Sequence, residues 1–165
     1  VIRFLLLSLF LVTISGCANP GDESISLSSM MEEKKPIGSV EIRDDQQVIN
    51  MNEEAKTSKQ GKIDEFKSMV ADIELKRVEK SDISEVGKEY AKEDSLLKIF
   101  IANEENKDDV LVMDLAGDGG GLVVSFEDGG ASQDVYEIQN GNAGLYEEVH
   151  DFYESIRNEV TLDQN

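Results

Sequence analysis

The stretch that decides the fold is Val110-Leu111-Val112-Met113-Asp114-Leu115-Ala116-Gly117-Asp118-Gly119-Gly120-Gly121-Leu122-Val123-Val124-Ser125-Phe126. Two runs rich in branched aliphatic residues flank a segment built from glycine and aspartate. Branched side chains suit the pleated surface of a strand, and glycine supplies the positive φ that a tight hairpin demands. Val110–Leu115 and Leu122–Phe126 therefore read as two strands joined at Gly117 to Gly121. A connection this short joins only antiparallel strands, because a parallel crossover needs a dozen residues or more. Both runs are apolar at odd and even positions alike. A sheet with one wet face alternates, so these central strands call for cover on both sides or a second face that is partly buried.

The same pattern extends in both directions. Leu96-Leu97-Lys98-Ile99-Phe100-Ile101 precedes the hairpin across Asn103 to Asp109, and Val135-Tyr136-Glu137-Ile138 follows it across Asp128-Gly129-Gly130. In the last segment Tyr136 and Ile138 alternate inward. Leu145, Val149, Phe152 and Ile156 then recur at helical spacing, introduced by Asn140-Gly141-Asn142. Upstream, Ile63, Phe66, Val70 and Ile73 form a second stripe, with Met69 beside it and Lys62, Asp64, Glu65, Lys67 and Asp72 on the other side. That helix ends near Glu74, where Leu75 and Val78 leave the stripe for a short extended piece. Val40-Glu41-Ile42-Arg43 alternates and pairs, in this reading, with Val48-Ile49-Asn50-Met51 across Asp44 to Gln47. Ile83 to Tyr90 takes no assignment from sequence. The sum is an α+β domain over residues 40–160, an antiparallel β-meander of about 4–6 strands packed with two amphipathic helices. Residues 161–165 read as a disordered tail.

Charge narrows the partners. The 165-residue chain carries 35 acidic and 16 basic residues, a net charge of −19. Such a surface repels phosphate backbones, which excludes nucleic acid and favours cations or basic protein patches.

The first 16 residues have a different character. Phe4 to Ile14 is an unbroken run of apolar residues and single hydroxyls behind one cation, Arg3. As a helix it reaches only about 16 Å against a hydrocarbon core of ~30 Å, so it reads as the apolar core of a signal peptide. The positive segment before it is thin, and a non-ATG start or a few basic residues upstream of Val1 would account for that. The run closes on Ile14-Ser15-Gly16-Cys17, which holds the chain's only cysteine.

Ile14-Ser15-Gly16-Cys17 resembles the bacterial lipobox. The resemblance implies that the Cys17 thiol receives a diacylglycerol, that a signal peptidase cuts between Gly16 and Cys17, and that residues 1–16 are lost. Two or more acyl chains, at ~0.8 kcal/mol per buried CH₂, hold a protein stably on a bilayer. The implied partner is the membrane, and the implied location is the outer face of the bacterial cytoplasmic membrane. Residues 17–39 then form the lipidated cysteine and a tether. Ala18 to Ser39 contains both prolines, Pro20 and Pro36, with Gly21, Gly38 and many serines, and a short helix around Leu27 to Lys34 is the alternative within it. The succession of lipobox, tether, helix, glycine-punctuated meander and closing helix is loosely similar to the small YhfM-like lipoproteins of bacilli, which implies a surface lipoprotein and no particular chemistry.

Catalytic and ligand signals are weak beside this. Gly117 to Gly121 leads into a strand, lacks a following Gly-Lys-Ser/Thr, and places Asp118 where a phosphate would sit, so it reads as a turn. Asp114, Asp118, Glu127 and Asp128 are the weak candidates for a calcium site, but their spacing fits no EF-hand loop. His150, the only histidine, cannot build a two-histidine zinc site within one chain. Tyr146, His150 and Tyr153 share one side of the last helix and form a candidate interaction face, since tyrosines favour interfaces. Adjacent carboxylates such as Asp44-Asp45 and Glu147-Glu148 point apart on regular backbone and make poor acid/base dyads. The expectation is a lipid-anchored, non-enzymatic module with no cofactor, binding an envelope protein or basic partner. A carboxylate-based calcium-binding module or a secreted hydrolase is the alternative.

Overall fold

The computed structural model describes residues 24–34, 36–44, 54–90, 92–93, 95–105, 107–127 and 133–162. They build β1 (Ile25–Ser26), α1 (Leu27–Glu33), β2 (Ile37–Asp44), β3 (Glu54–Thr57), α2 (Gln60–Met69), β4 (Glu74–Arg77), α3 (Ile83–Tyr90), β5 (Leu96–Asn103), β6 (Asp109–Ala116), β7 (Gly121–Phe126), β8 (Gln133–Ile138) and α4 (Ala143–Leu162). All eight strands join one antiparallel sheet in the order β1-β4-β8-β7-β6-β5-β2-β3.

The expected class, α+β, stands, but the expected architecture does not. A meander of 4–6 strands with two helices is corrected to an eight-stranded sheet with four helices among the described residues. The meander forms the centre, β5 to β8, each strand paired with the next. The additional strands are short pieces at the flanks. β3 (Glu-Ala-Lys-Thr) and β4 (Glu-Leu-Lys-Arg) each turn one or two small or apolar side chains inward and are otherwise polar. Their partner strands supply the order that their own composition does not. Val40 to Arg43 pairs with Thr57 to Glu54; the partner expected from sequence, residues 48–51, lies outside the described residues.

Within the stretch read as a tether, the alternative, a short helix around Leu27 to Lys34, is what forms, and the tether reading is corrected there. Residues 25–34 belong to the fold: β1 extends the sheet beyond β4, and α1 begins at once, its first amide donating to Ile73 O at 2.9 Å. Ser26 caps it by accepting from Ser29 N, and Leu27, Met30 and Met31 are buried at the i, i+3, i+4 spacing of an inward helix face. α4 runs to Leu162, two residues into the segment read as a tail, and residues 163–165 lie outside the described residues.

Register fixes which side chains share a face. Ile42, Ile99, Met113, Val123 and Tyr136 lie in one row across β2, β5, β6, β7 and β8. With Val40, Leu97, Ile101, Leu111, Leu115, Leu75 and Ile138 they make the core side of the sheet. Against it pack α1, α2 and α4, with Phe66 of α2 meeting Phe152 of α4 at 5.8 Å between ring centroids. Tyr136 and Ile138 face inward, as their alternation predicts.

The β6–β7 turn is locked to the start of α4. Gly119 adopts φ +89°, and Gly119 N donates to Ala116 O at 2.8 Å. A Cβ on Gly141 would fall 1.8 Å from Gly119 O. Two glycines thus let two backbones touch where side chains would hold them apart.

Candidate functional site

The sheet has a second face, and among the described residues its cover is incomplete. Because side chains alternate, the residues between the core rows point to the other side: Glu41, Phe100, Val112, Val124 and Val135 in one row, and Arg43, Lys98, Asp114, Leu122 and Glu137 in the next. On the β7–β8 side this face is roofed by α3. Tyr90 OH donates to Glu137 Oε1 at 3.2 Å, and the Tyr90 ring lies against Gly120. Leu122 and Val135 are buried beneath that side. Burial, reinforced by the Glu137 charge, pushes the Tyr90 phenol up to about 12. No residue of α3 is itself buried, so the helix rests on the sheet rather than in the core.

Toward β6, β5 and β2 the same face is partly open. Phe100, Val112, Val124 and Phe126 are only half-buried. Arg43 stacks over the Phe100 ring at 4.6 Å to its centroid. Its guanidinium also pairs with Glu41, and Glu54 Oε2 lies 3.7 Å away. Lys56 Nζ reaches Glu41 Oε2 at 3.3 Å, and Lys98 Nζ stands 3.4 Å from Asp114 Oδ1, an ion pair without hydrogen-bond geometry. Asp109 borders this group; burial and the nearby Glu41 carboxylate raise its pKa, against the opposing pull of Lys56 and Arg43. The result is an apolar strip framed by charges that already have partners.

The residues singled out from sequence fall elsewhere. Tyr146, His150 and Tyr153 do come together: Tyr146 and His150 stack with centroids 6.1 Å apart, and His150 and Tyr153 are 5.9 Å apart. Tyr153, however, is fully buried in the core, with Arg157 over its ring at 5.5 Å. Tyr146 is half-buried, hydrogen-bonded to Ser95, and its phenol pKa is raised by burial and by Asp44. The row therefore packs α4 onto the sheet, and only its Tyr146–His150 end reaches solvent.

The four carboxylates do not converge. Asp114 sits within β6 opposite Leu122, Asp118 lies in the turn where its Oδ1 accepts from Gly120 N at 2.8 Å, and Glu127 follows the far end of β7. Asp128 lies outside the described residues, as do Gly16 and Cys17. Among the described residues no three His, Cys, Asp or Glu side chains stand close enough to hold a metal ion. Nor is any helix among them long and apolar enough to cross a membrane.

One surface cleft, about 240 Å³, opens between the end of α2 and the start of α4, with Met69, Ile73 and Leu145 at its apolar side and Asp72 and Glu148 at its rim. Its amides are occupied by the fold. Asn140 accepts from Glu74 N and donates to Asp72 O, and Asn142 accepts from Leu145 N at the helix start.

Compared with protein-family models, with curated proteins and with solved structures, the chain matches none. Function therefore has to be argued from the surface itself. The sequence reading passed over Phe100, Val112 and Val124, although the signal was present in their apolarity on both strand faces. Only the positions of α3 and α4 show which of those faces is left open.

Proposed function

We propose that the protein is a lipid-anchored, non-enzymatic interaction module of the bacterial cell surface. In this reading its sheet face around Phe100, Val112 and Val124 is the working surface. The single observation that carries the interaction role is that face. It presents a cross-strand apolar row that α1, α2 and α4 leave uncovered and α3 covers only at its β7–β8 end. Contiguous apolar area at a surface marks a contact site more often than a scattered exposed residue does.

The anchor rests on Ile14-Ser15-Gly16-Cys17 and on the apolar run before it. The fold adds a constraint on that anchor. Since β1 starts at Ile25, seven residues, Ala18 to Ser24, separate it from Cys17. At ~3.3–3.6 Å per residue they span at most about 25 Å. An acylated Cys17 thus holds the β1–β4 edge near the headgroups instead of letting the domain range freely. Metabolic acyl labelling tests the anchor. Label is expected on the wild-type chain and absent from Cys17→Ala, with release from the membrane or failure of processing. A Cys17→Ala chain that is processed and retained as before would refute it.

A further inference from the structure

We propose that the open sheet face binds a second copy of this chain, in a weak, two-fold, face-to-face dimer. The inference rests on reading that face as an interaction surface and adds the identity of the partner.

Charge selects the occupant. Three cations, Arg43, Lys56 and Lys98, and five carboxylates, Glu41, Glu54, Asp109, Asp114 and, beneath α3, Glu137, lie on this face, a balance of −2 in a chain of −19. The rest of the chain is acidic on balance, so two copies that meet elsewhere are repelled more strongly on average. Here Arg43, Lys56 and Lys98 each stand beside a carboxylate of their own copy, leaving the apolar row to meet its own image. A basic partner would find little on this face to attract it and would be drawn to the acidic remainder of the molecule. An isologous contact needs a self-complementary patch, and a near-neutral apolar row meets that condition.

Area sets the strength. Four strands about 4.8 Å apart, and about three residue rows ~6.7 Å apart, give roughly 400 Å² per copy, half of the ~800 Å² typical of a stable interface. The dimer is therefore weak and reversible in solution. Two copies tethered to one bilayer would meet at a far higher effective concentration.

The chain from Ala18 onward contains every described element of the fold, so it is the species to test. Sedimentation velocity from about 10 μM to about 1 mM should show a monomer–dimer equilibrium that tightens when NaCl rises from ~0.05 to ~0.5 M, because salt screens the repulsion between two acidic bodies. Val124→Asp should weaken the dimer at least about tenfold by placing an unpaired carboxylate in the contact, whereas Asp151→Asn on exposed α4 should leave it unchanged. Should Val124→Asp fail to fold, concentration-dependent methyl shifts in the unmodified chain decide the matter: they should map to Val112 and Val124 and spare α4. A monomer at 1 mM in high salt, a dimer indifferent to Val124→Asp, or shifts confined to another surface would overturn the proposal. Association of the acyl-labelled chain with some other molecule through Val124, without self-association, would leave the interaction face standing and remove only the second copy.

Discussion

One sheet has two faces of similar composition and different fates. On the core face, Ile42, Ile99, Met113 and Val123 form a row with no more than 1% exposure, sealed by α1, α2 and α4. On the opposite face, Phe100, Val112 and Val124 form an equally apolar row that stays half-buried, with Arg43 laid over one end and α3 roofing the other. Strand sequence alone does not separate these two rows. What separates them is which helices have an apolar stripe wide enough to enclose a face: α4 buries Val149, Phe152, Tyr153 and Ile156, whereas α3 buries nothing.

The largest expected effect tests that contrast directly. Phe66→Ala, on the covered side, removes a fully buried ring packed on Phe152 and should cost ~3–5 kcal/mol in urea unfolding. Val124→Ala, on the open side, should cost less than ~1 kcal/mol, because solvent already reaches the site and a neighbour can relax into the gap. Equal losses would mean that the second face is as enclosed as the first.

A smaller effect distinguishes the two ends of the molecule's glycine usage. Gly141→Ala drives a methyl group to within 1.8 Å of Gly119 O, so the β6–β7 turn or the start of α4 must shift, at an expected ~2 kcal/mol or more. Gly87, in the middle of α3, meets nothing within 4 Å. Gly87→Ala should raise stability by ~0.4–1 kcal/mol through a stiffer unfolded chain and better helix propensity. Comparing the two melting curves checks both signs at once. A loss at Gly87 would show that α3 is pressed onto the sheet more closely than its exposure indicates.

This division also explains how much could be read beforehand. β5 to β8 are legible because each has an apolar or alternating run of at least four residues bounded by turn chemistry. β4 shows in the sequence only as the short extended piece around Leu75, while β1, with two residues, and β3, with four, have no periodicity long enough to register, and all three exist because a neighbouring strand offers its edge. α3 carries Ile83, Val86 and Tyr90 at helical spacing, but a one-sided stripe of three residues does not say what it covers. The candidate tyrosine face is narrower than its spacing implies, for a related reason. Tyr146, His150 and Tyr153 share a side of α4, and the width of the core stripe, visible only once α4 meets the sheet, takes Tyr153 inside. The open face was half legible. Apolarity on both sides of the central strands was plain, while the choice of uncovered side is set by tertiary packing.

The subtlest effect concerns the roof that makes the second face only partly open. Tyr90 holds α3 to Glu137, and its phenol titrates at about 12 instead of its ordinary 10.0. The folded chain therefore keeps this proton after the unfolded chain has lost it. Stability from Tyr90 is fully present below pH 10 and is lost as pH climbs from 10 toward 12. Tyr90→Phe should cost no more than ~1 kcal/mol at neutral pH, the net worth of a half-exposed hydrogen bond. In return its stability should fall less steeply above pH 10 than that of the wild type. The difference in phenolate absorbance between the two proteins should place the Tyr90 step close to 12. A step at the ordinary tyrosine value would detach α3 from Glu137 and leave Leu122 and Val135 as open as Val124, extending the apolar row across the whole width of the meander.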